Sequence, residues 1–456
     1  MRRVVKVSRI RIIITIIVVV LTTLLTGCTG KEPNEIAYVV ALGIDSTDDD
    51  NYKITIQYAN TTQISGGASE SGGKAGSEIV DNVTIEAPNI YAGVGLANNI
   101  VSKSFSMSHA KLIVFSKEIA EKGVKDMIET LVRSEEIRPD VFIAVANTTA
   151  NDYLTSVNPE MEVNPAQYYQ LIYQKNQLVG IPDGQLREFF TGLYTDNYDS
   201  ILPVAGVIEG AGDNSQNDDK GQSKDGQNEG SEGSSESLDS FESKSSDDKD
   251  ENEKEKDAEK NTSKYEYDIK NYVGGETAIE KKNKAEAIGA AVFEKDKMVG
   301  ELGEVETEIC KILKGDYTYS YLTYYNNDTP DIPITVKTTQ QKKPKYKIDT
   351  DKKTVDIELY IESDLYSLPA DYNVENKIED FERDVANYTS SACTEFINNF
   401  TKKYNSDILK LNEKVKYKFL TNNQYNWFKK NVGWSEYKFS VCTNFKVRRT
   451  GLIVRE

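Results

Sequence analysis

One stretch of the chain, residues 209–264, contains almost nothing that can enter a hydrophobic core. It carries eighteen Asp or Glu against eight Lys, and Leu238 and Phe241 are nearly its only large apolar side chains. Because it cannot bury enough apolar surface to offset the entropy lost on ordering, we predict a disordered acidic insertion. A tract that binds cations or a partner is the alternative. The folded core must therefore come from the sequence on either side.

The remaining composition restricts the partners of the chain. Its formal net charge is −18, so it would repel phosphate backbones and no nucleic-acid partner is predicted. The same charge argues against electrostatic attraction to anionic lipid, so membrane attachment would need a lipid or an apolar segment. His109 is the only histidine, which excludes multi-histidine zinc and iron sites and leaves one residue for any Ser-His or Cys-His pair.

The start of the chain has the pattern of an export leader. Five basic residues precede an apolar run over residues 12–25, which is short for a membrane span of about 20 residues. A Leu-Thr-Gly-Cys tetrad then ends at Cys28 and is similar to a bacterial lipobox, whose cysteine receives diacylglycerol. We therefore predict a lipoprotein signal peptide over residues 1–27, with membrane lipid on Cys28. An uncleaved transmembrane anchor is the alternative.

Three further cysteines are present, Cys310, Cys393 and Cys442. With Cys28 assigned to lipid, an odd number remains and not all can pair within one chain, so no disulfide framework is predicted. Cys310 and Cys393 fall on stretches with helical periodicity, where a free cysteine packs as a small apolar residue. Cys442 falls on the more polar face of an alternating strand.

Alternating strand and helix patterns over residues 28–198 predict a first, mixed α/β domain. Strands are predicted at residues 36–44, 52–58, 83–86, 111–115 and 140–146. Helices are predicted from Pro88 onward, over residues 117–132 with Ser116 as cap, and over residues 165–173 and 184–192. A small middle domain, residues 199–330, follows. The acidic insertion interrupts it between strands at residues 201–208 and 287–293, which is tolerable because loop-closure entropy grows only logarithmically with length.

The C-terminal domain, residues 331–456, contains the clearest periodicity. Apolar side chains recur at three- and four-residue steps over residues 377–404, and acidic and basic residues stand at the ends that a helix dipole favours. A final alternating strand covers residues 437–447. We predict a long helix on an antiparallel sheet here. For the whole chain we predict a mixed α+β fold of three consecutive domains, each a mostly antiparallel sheet packed with helices.

Motifs of common catalysis are missing from the chain. It has no Gly-rich phosphate loop, no dinucleotide fingerprint and no Gly-x-Ser-x-Gly elbow. Carboxylate pairs such as Glu135-Glu136 are typical of solvated faces in an acidic protein. Asp45, at the end of an apolar strand, is predicted to fix a turn, and His109 to be structural. The sequence thus predicts no enzyme, no cofactor, no metal ligands and no catalytic residues.

Several segments resemble the C subunits of spore germinant receptors, the Ger(x)C family. They are the lipobox, residues 35–45, 108–111, 133–138, 291–300 and 306–307, and the stretch over residues 427–451. The acidic insertion is longer than the family's usual connection. The resemblance implies three mixed α/β domains and a lipid-anchored, non-enzymatic subunit on the outer face of the spore inner membrane. It would assemble there with a membrane-spanning A-type and a permease-like B-type subunit and respond to small germinants. Only Cys28 is carried over as a functional position.

A solute-capturing lipoprotein that delivers its ligand to a membrane transporter is the alternative function. Such a binder needs two similar lobes around a hinged cleft. The predicted domains are unequal and the last contains a long helix, which favours the receptor subunit.

Overall fold

The structure, a computed structural model, describes residues 13–17, 35–49, 51–59, 80–158, 162, 164–174, 180–195, 197–208, 271–277, 283–326, 329–367 and 377–450. Its strands are β1 (Ile36–Ser46), β2 (Tyr52–Ala59), β3 (Val80–Ala87), β4 (Ser104–Ser106), β5 (Leu112–Ser116), β6 (Phe142–Ala146), β7 (Ile201–Val207), β8 (Ala285–Glu294), β9 (Lys297–Leu302), β10 (Tyr319–Asn326), β11 (Thr329–Gln340), β12 (Lys345–Asp349), β13 (Thr354–Ser367) and β14 (Lys438–Arg449). Its helices are α1 (Ile90–Ala97), α2 (Lys117–Lys122), α3 (Lys125–Val132), α4 (Ala150–Ser156), α5 (Pro165–Gln174), α6 (Leu186–Thr195), α7 (Glu304–Lys314), α8 (Ile378–Tyr404), α9 (Leu411–Val415) and α10 (Asn422–Asn431). The mixed α+β class is confirmed.

Nine strands form the first sheet, in the order β3-β2-β1-β5-β6-β7-β8-β9, with β4 beside β1. Its centre is parallel, because β1, β5, β6 and β7 run in the same direction. Antiparallel strands extend it on both flanks. The sheet is thus mixed and not mostly antiparallel as predicted. The uninterrupted burial of β5 and β6 is typical of parallel strands covered on both faces.

Each face of this sheet has its own hydrophobic core. On β5, Ile113 packs into one core with α1, α2, α3 and α6, whereas Leu112 packs into the other with α4 and α5. The second core buries the rings of Tyr153 and Tyr173, whose hydroxyls lie 2.9 Å apart and satisfy each other. Residues on one strand therefore alternate between two cores, as the period of a β-strand requires.

The flanks of the acidic insertion lie side by side in the first sheet. β7 and β8 pair antiparallel, from Ile201 opposite Val292 to Val207 opposite Ala285, so the insertion connects the adjacent ends of two neighbouring strands. Because β7, β8 and β9 share a sheet with the N-terminal strands, the division into domains 28–198, 199–330 and 331–456 is not confirmed and stays a prediction. Residues 209–264 themselves lie outside the described residues.

The second sheet has the order β10-β11-β13-β12, with β14 along the other side of β13. Val355, Ile357, Leu359 and Ile361 of β13 are buried and alternate with more exposed residues, which gives this sheet one apolar face. The predicted long helix is confirmed as α8 and packs on the sheet. β13 and β14 are parallel. A tight turn cannot join parallel strands, and here the chain crosses over between them through α8.

Polar side chains of α8 also cover the free edge of β14. Backbone N–H groups of alternate strand residues donate to side chains spaced along the helix: Phe439 N to Asn398 Oδ1 (3.1 Å), Val441 N to Thr394 Oγ1 (3.0 Å), Thr443 N to Ser390 Oγ (2.9 Å) and Val447 N to Glu382 Oε1 (2.9 Å). Four helical residues rise about 6.0 Å and two strand residues about 6.6 Å. Every fourth residue of α8 therefore remains opposite every second residue of β14. The edge donors are thereby withheld from other chains.

Two local predictions are corrected by the backbone. The helix predicted over residues 117–132 is divided into α2 and α3, because Gly123 has a φ of 123°, which ends a helix and which other residues rarely adopt. Ser116 caps α2 as predicted, its Oγ accepting a hydrogen bond from Ile119 N at 3.4 Å. Pro88 precedes α1 and does not open it, since Asn89 is the cap and accepts from Ala92 N at 2.9 Å.

Candidate functional site

The predicted lipid attachment site, Cys28, lies outside the described residues, as does most of the leader. Lipid on Cys28 therefore stays a prediction. In the part of the chain that the structure describes, no helix is both long enough and apolar enough to cross a membrane.

The other three cysteines are free thiols. Cys310 on α7 and Cys393 on α8 are buried, and burial raises the pKa of Cys310 to about 11 and that of Cys393 to about 12. Both thiols therefore stay protonated and unreactive at neutral pH, as expected of cysteines that pack as apolar side chains. Cys442 is exposed on β14.

A polar cleft of about 410 Å³ opens where α6 and the start of β7 approach the end of α7. Its charged lining residues are Asp183, Glu188, Asp199, Lys314, Asp316 and Lys410. A second cavity of about 230 Å³ shares Lys314, Asp316 and Lys410 with it and adds Lys343 and Lys414. The two cavities together present both signs of charge, which suits a small zwitterion better than a simple anion or cation.

An ion pair crosses the cleft. Lys410 Nζ lies 3.1 Å from Glu188 Oε2 and 4.3 Å from the centre of the Tyr198 ring. Desolvation acts to raise the pKa of Glu188, but the hydrogen bond and the charge of Lys410 outweigh it, and the pKa lies below its ordinary value. The pair therefore ties the C-terminal region to α6.

Asp407 forms a second connection beside the cleft. Its backbone N–H donates to Asp199 Oδ2 at 2.8 Å, and Asp199 N donates back to the Asp407 carbonyl at 3.1 Å. The Asp407 carboxylate accepts from Leu411 N (2.7 Å) and Asn412 N (2.8 Å), which satisfies donors at the start of α9. Asp407 was not among the residues predicted from the sequence. The only sequence signal was a charged residue placed directly before the apolar pair Ile408-Leu409.

The residues singled out from the sequence have structural contacts. Asp45 is buried and accepts from Ala150 N (2.6 Å) and Asn151 N (3.0 Å), so it satisfies the first two N–H groups of α4, whose N-cap is Thr149, and does not fix a turn. Burial raises the pKa of Asp45, opposed by these two hydrogen bonds. His109 lies on an exposed turn, with its ring edge-on to Tyr38 at 4.8 Å.

No metal centre is apparent within the described ranges, because no three His, Cys, Asp or Glu side chains are grouped to hold an ion there. Within the cleft, Lys410 is bound to Glu188, and Asp199 accepts a hydrogen bond from the backbone N–H of Asp407.

Two family models match the chain. The spore germination protein N-terminal domain matches residues 30–207, and the spore germination B3/GerAC-like C-terminal domain matches residues 288–451. Together they cover about three quarters of the 456 residues. The chain therefore belongs to the Ger(x)C family of spore germination proteins. The acidic insertion lies between the two matched ranges.

Curated relatives agree with this family. Spore germination protein KC of Bacillus subtilis is 26% identical over 174 residues, which is 35% of this chain and 42% of that protein. The putative spore germination protein YfkR of the same organism is 28% identical over 145 residues, 32% of this chain and 37% of that protein. The matched region thus spans about two fifths of the relatives' length. The crystal structure of the GerBC protein aligns with a TM-score of 0.47 and 15% identity, covering 89% of this chain and 96% of that one.

Proposed function

We propose that the chain is a lipid-anchored, non-enzymatic subunit of a spore germinant receptor, needed for the germination response to small nutrients. The membership in a family of spore germination proteins carries this proposal. The leader that ends at Cys28 supports the anchor, since two acyl chains hold a protein on a bilayer far more stably than one. The folded part of the chain would then stand on the outer face of the spore inner membrane.

The partners in this proposal are a membrane-spanning A-type subunit and a permease-like B-type subunit. The chain completes their complex through protein contacts, while the membrane subunits bind the germinant and pass on the signal. The family models and the curated relatives support a role without catalysis, since they describe spore germination proteins and name no enzyme.

Labelling with a radioactive fatty acid tests the anchor. Wild type is expected to incorporate label, and Cys28→Ala is expected to lose it and to accumulate a slower-migrating precursor, because the lipid-accepting thiol is gone. Cys442→Ala is the matched control, since it removes an exposed thiol elsewhere and should keep the label. Equal label in wild type and Cys28→Ala would contradict the lipid anchor and favour the transmembrane alternative.

The mixed-charge cleft is the observation that favours the second function, capture of a small solute for a transporter. A ligand at 100 times its Kd would stabilise the protein by about 2.7 kcal/mol. A rise in melting temperature with amino acids that is lost in Lys410→Gln would support solute capture at this cleft.

A further inference from the structure

Residues 414–430, the basic–aromatic corner, carry a net positive charge. The corner contains five lysines and no acidic residue in a chain of net charge −18, and the nearest acidic residues, Glu413 and Glu436, stand outside it. None of the five lysines forms a salt bridge with a carboxylate of the described residues. Lys429 Nζ donates to the Thr195 carbonyl at 2.8 Å, and Lys414 Nζ to the Leu409 carbonyl at 2.8 Å. These partners are neutral, so the positive charge is not compensated within the corner.

The same corner exposes large apolar side chains. Leu420 is 95% exposed and Tyr417 80%, the two highest values among large apolar side chains in the described residues, and Trp427 is 68% exposed. The rings of Phe419 and Phe428 pack together, with their centres 4.9 Å apart. Leu420 follows Phe419 in the chain, and Trp427 precedes Phe428. The exposed side chains therefore stand next to residues that are held in place by packing. An exposed apolar patch of this kind usually marks an interaction site.

We propose that the basic–aromatic corner docks on anionic membrane lipid. Its exposed lysines, Lys416, Lys418 and Lys430, would face the headgroups. Trp427, Tyr417 and Leu420 would enter the interfacial layer, where Trp and Tyr are enriched in membrane proteins. Each lysine near an anionic surface favours contact by roughly fivefold. The net charge of −18 predicts that the rest of the surface repels anionic lipid, so the corner would also orient the molecule on the bilayer.

The composition of the corner favours lipid over a protein partner. The centres of protein interfaces are enriched in Arg and depleted in Lys, whereas all five cations here are lysine. Lysine carries a flexible, strongly hydrated charge that suits a fluid layer of headgroups better than a fixed bidentate contact. This inference rests on the proposed function in one respect, which is that a lipid anchor brings the molecule to a membrane.

The two tryptophans of the chain make the proposal measurable. Trp427 is 68% exposed and Trp434 is 2% exposed, so Trp434→Phe leaves Trp427 as the only indole, and Trp427→Phe leaves a buried reference. The full chain would be reconstituted in vesicles with brominated acyl chains, of phosphatidylcholine alone or with about 30% phosphatidylglycerol as anionic lipid. We expect strong quenching of Trp427 in the anionic vesicles, weak quenching in the neutral ones, and none of Trp434 in either.

Charge variants test the cause of the contact. Lys416, Lys418 and Lys430 changed together to Gln should lower the ratio of docked to free corner on the order of 100-fold, and Trp427 should lose its quenching. The control changes the exposed Lys125, Lys295 and Lys297 to Gln, which removes the same charge elsewhere, and quenching should persist.

Two results would overturn the proposal. They are no quenching of Trp427 in anionic vesicles, and equal quenching in neutral and anionic vesicles. Protection of Trp427 only when the membrane subunits are present would also overturn it, in favour of a protein interface. Each of these leaves fatty-acid labelling at Cys28 untouched, so failure of the corner and failure of the anchor are distinguishable.

Discussion

Asp407 is a buried residue, 3% exposed, that lies between the C-terminal region and the loop at Asp199. Desolvation raises its pKa to about 7, although hydrogen bonds from Asn412 N and Leu411 N oppose the shift. Because this folded pKa exceeds the ordinary value of 3.8, the folded state holds the proton more tightly than the unfolded state. The stabilisation is complete below about pH 4 and is lost as the pH rises to about 7, up to about 4 kcal/mol in all.

Replacing Asp407 with Asn should therefore flatten the dependence of stability on pH. Urea unfolding midpoints measured from pH 4 to pH 8 are expected to fall for wild type and to fall less for Asp407→Asn. Some slope should remain, because burial also raises the pKa of Glu308 to about 7. Exposed Asp140→Asn is the control and should reproduce the wild-type profile. Identical profiles for wild type and Asp407→Asn would show that Asp407 does not titrate in this range.

Among the elements, α8 shows what periodicity reveals and what it hides. The apolar stripe predicted its presence and extent, and Phe381 and Val385 are buried as expected. Further along, Cys393 and Ile397 are buried more completely than Phe396, which the stripe had included. Apolar periodicity could not indicate the hydrogen bonds to β14, because side chains that bond to a strand edge are polar. A parallel β13–β14 pair was likewise hidden, since strand direction depends on a distant crossover.

The bonds from α8 to the edge of β14 should contribute to stability. Thr394→Val with Ser390→Ala removes the acceptors of Val441 N and Thr443 N and nearly preserves side-chain volume. Each donor left unpaired costs about 1–3 kcal/mol, so urea unfolding should show a loss of about 2–6 kcal/mol. Exposed Asn399→Ala on the same helix is the control and should cost under about 1 kcal/mol. A double variant as stable as this control would mean that water replaces the bonds without loss.

For the molecule as a whole, the sequence was sufficient for the fold class, the family and the position of the acidic insertion. It was insufficient for the first sheet, because pairing of β6 with β7 joins stretches that are distant in the chain. The cleft at Glu188 and Lys410 could not be predicted either, because its two sides lie more than 200 residues apart in the chain. Local patterns identify elements, whereas contacts between distant segments create the site.

Deleting residues 211–262 tests the acidic insertion as an independent segment. The connection between β7 and β8 would shorten about threefold, which reduces the loop-closure cost by about 1 kcal/mol, and residues 271–277 that contact the sheet would be retained. Thermal melting should therefore change little or rise slightly. A large loss of stability would show that the insertion contributes to the folded core.

The germination of spores that lack the gene shows whether the chain is a germinant-receptor subunit. The measurement is the rate of optical-density loss with each candidate germinant in turn. We expect a lost or slowed response to at least one germinant, restored by the wild-type gene and not by Cys28→Ala. Wild-type rates with every germinant, in spores with no paralogous receptor left, would contradict it.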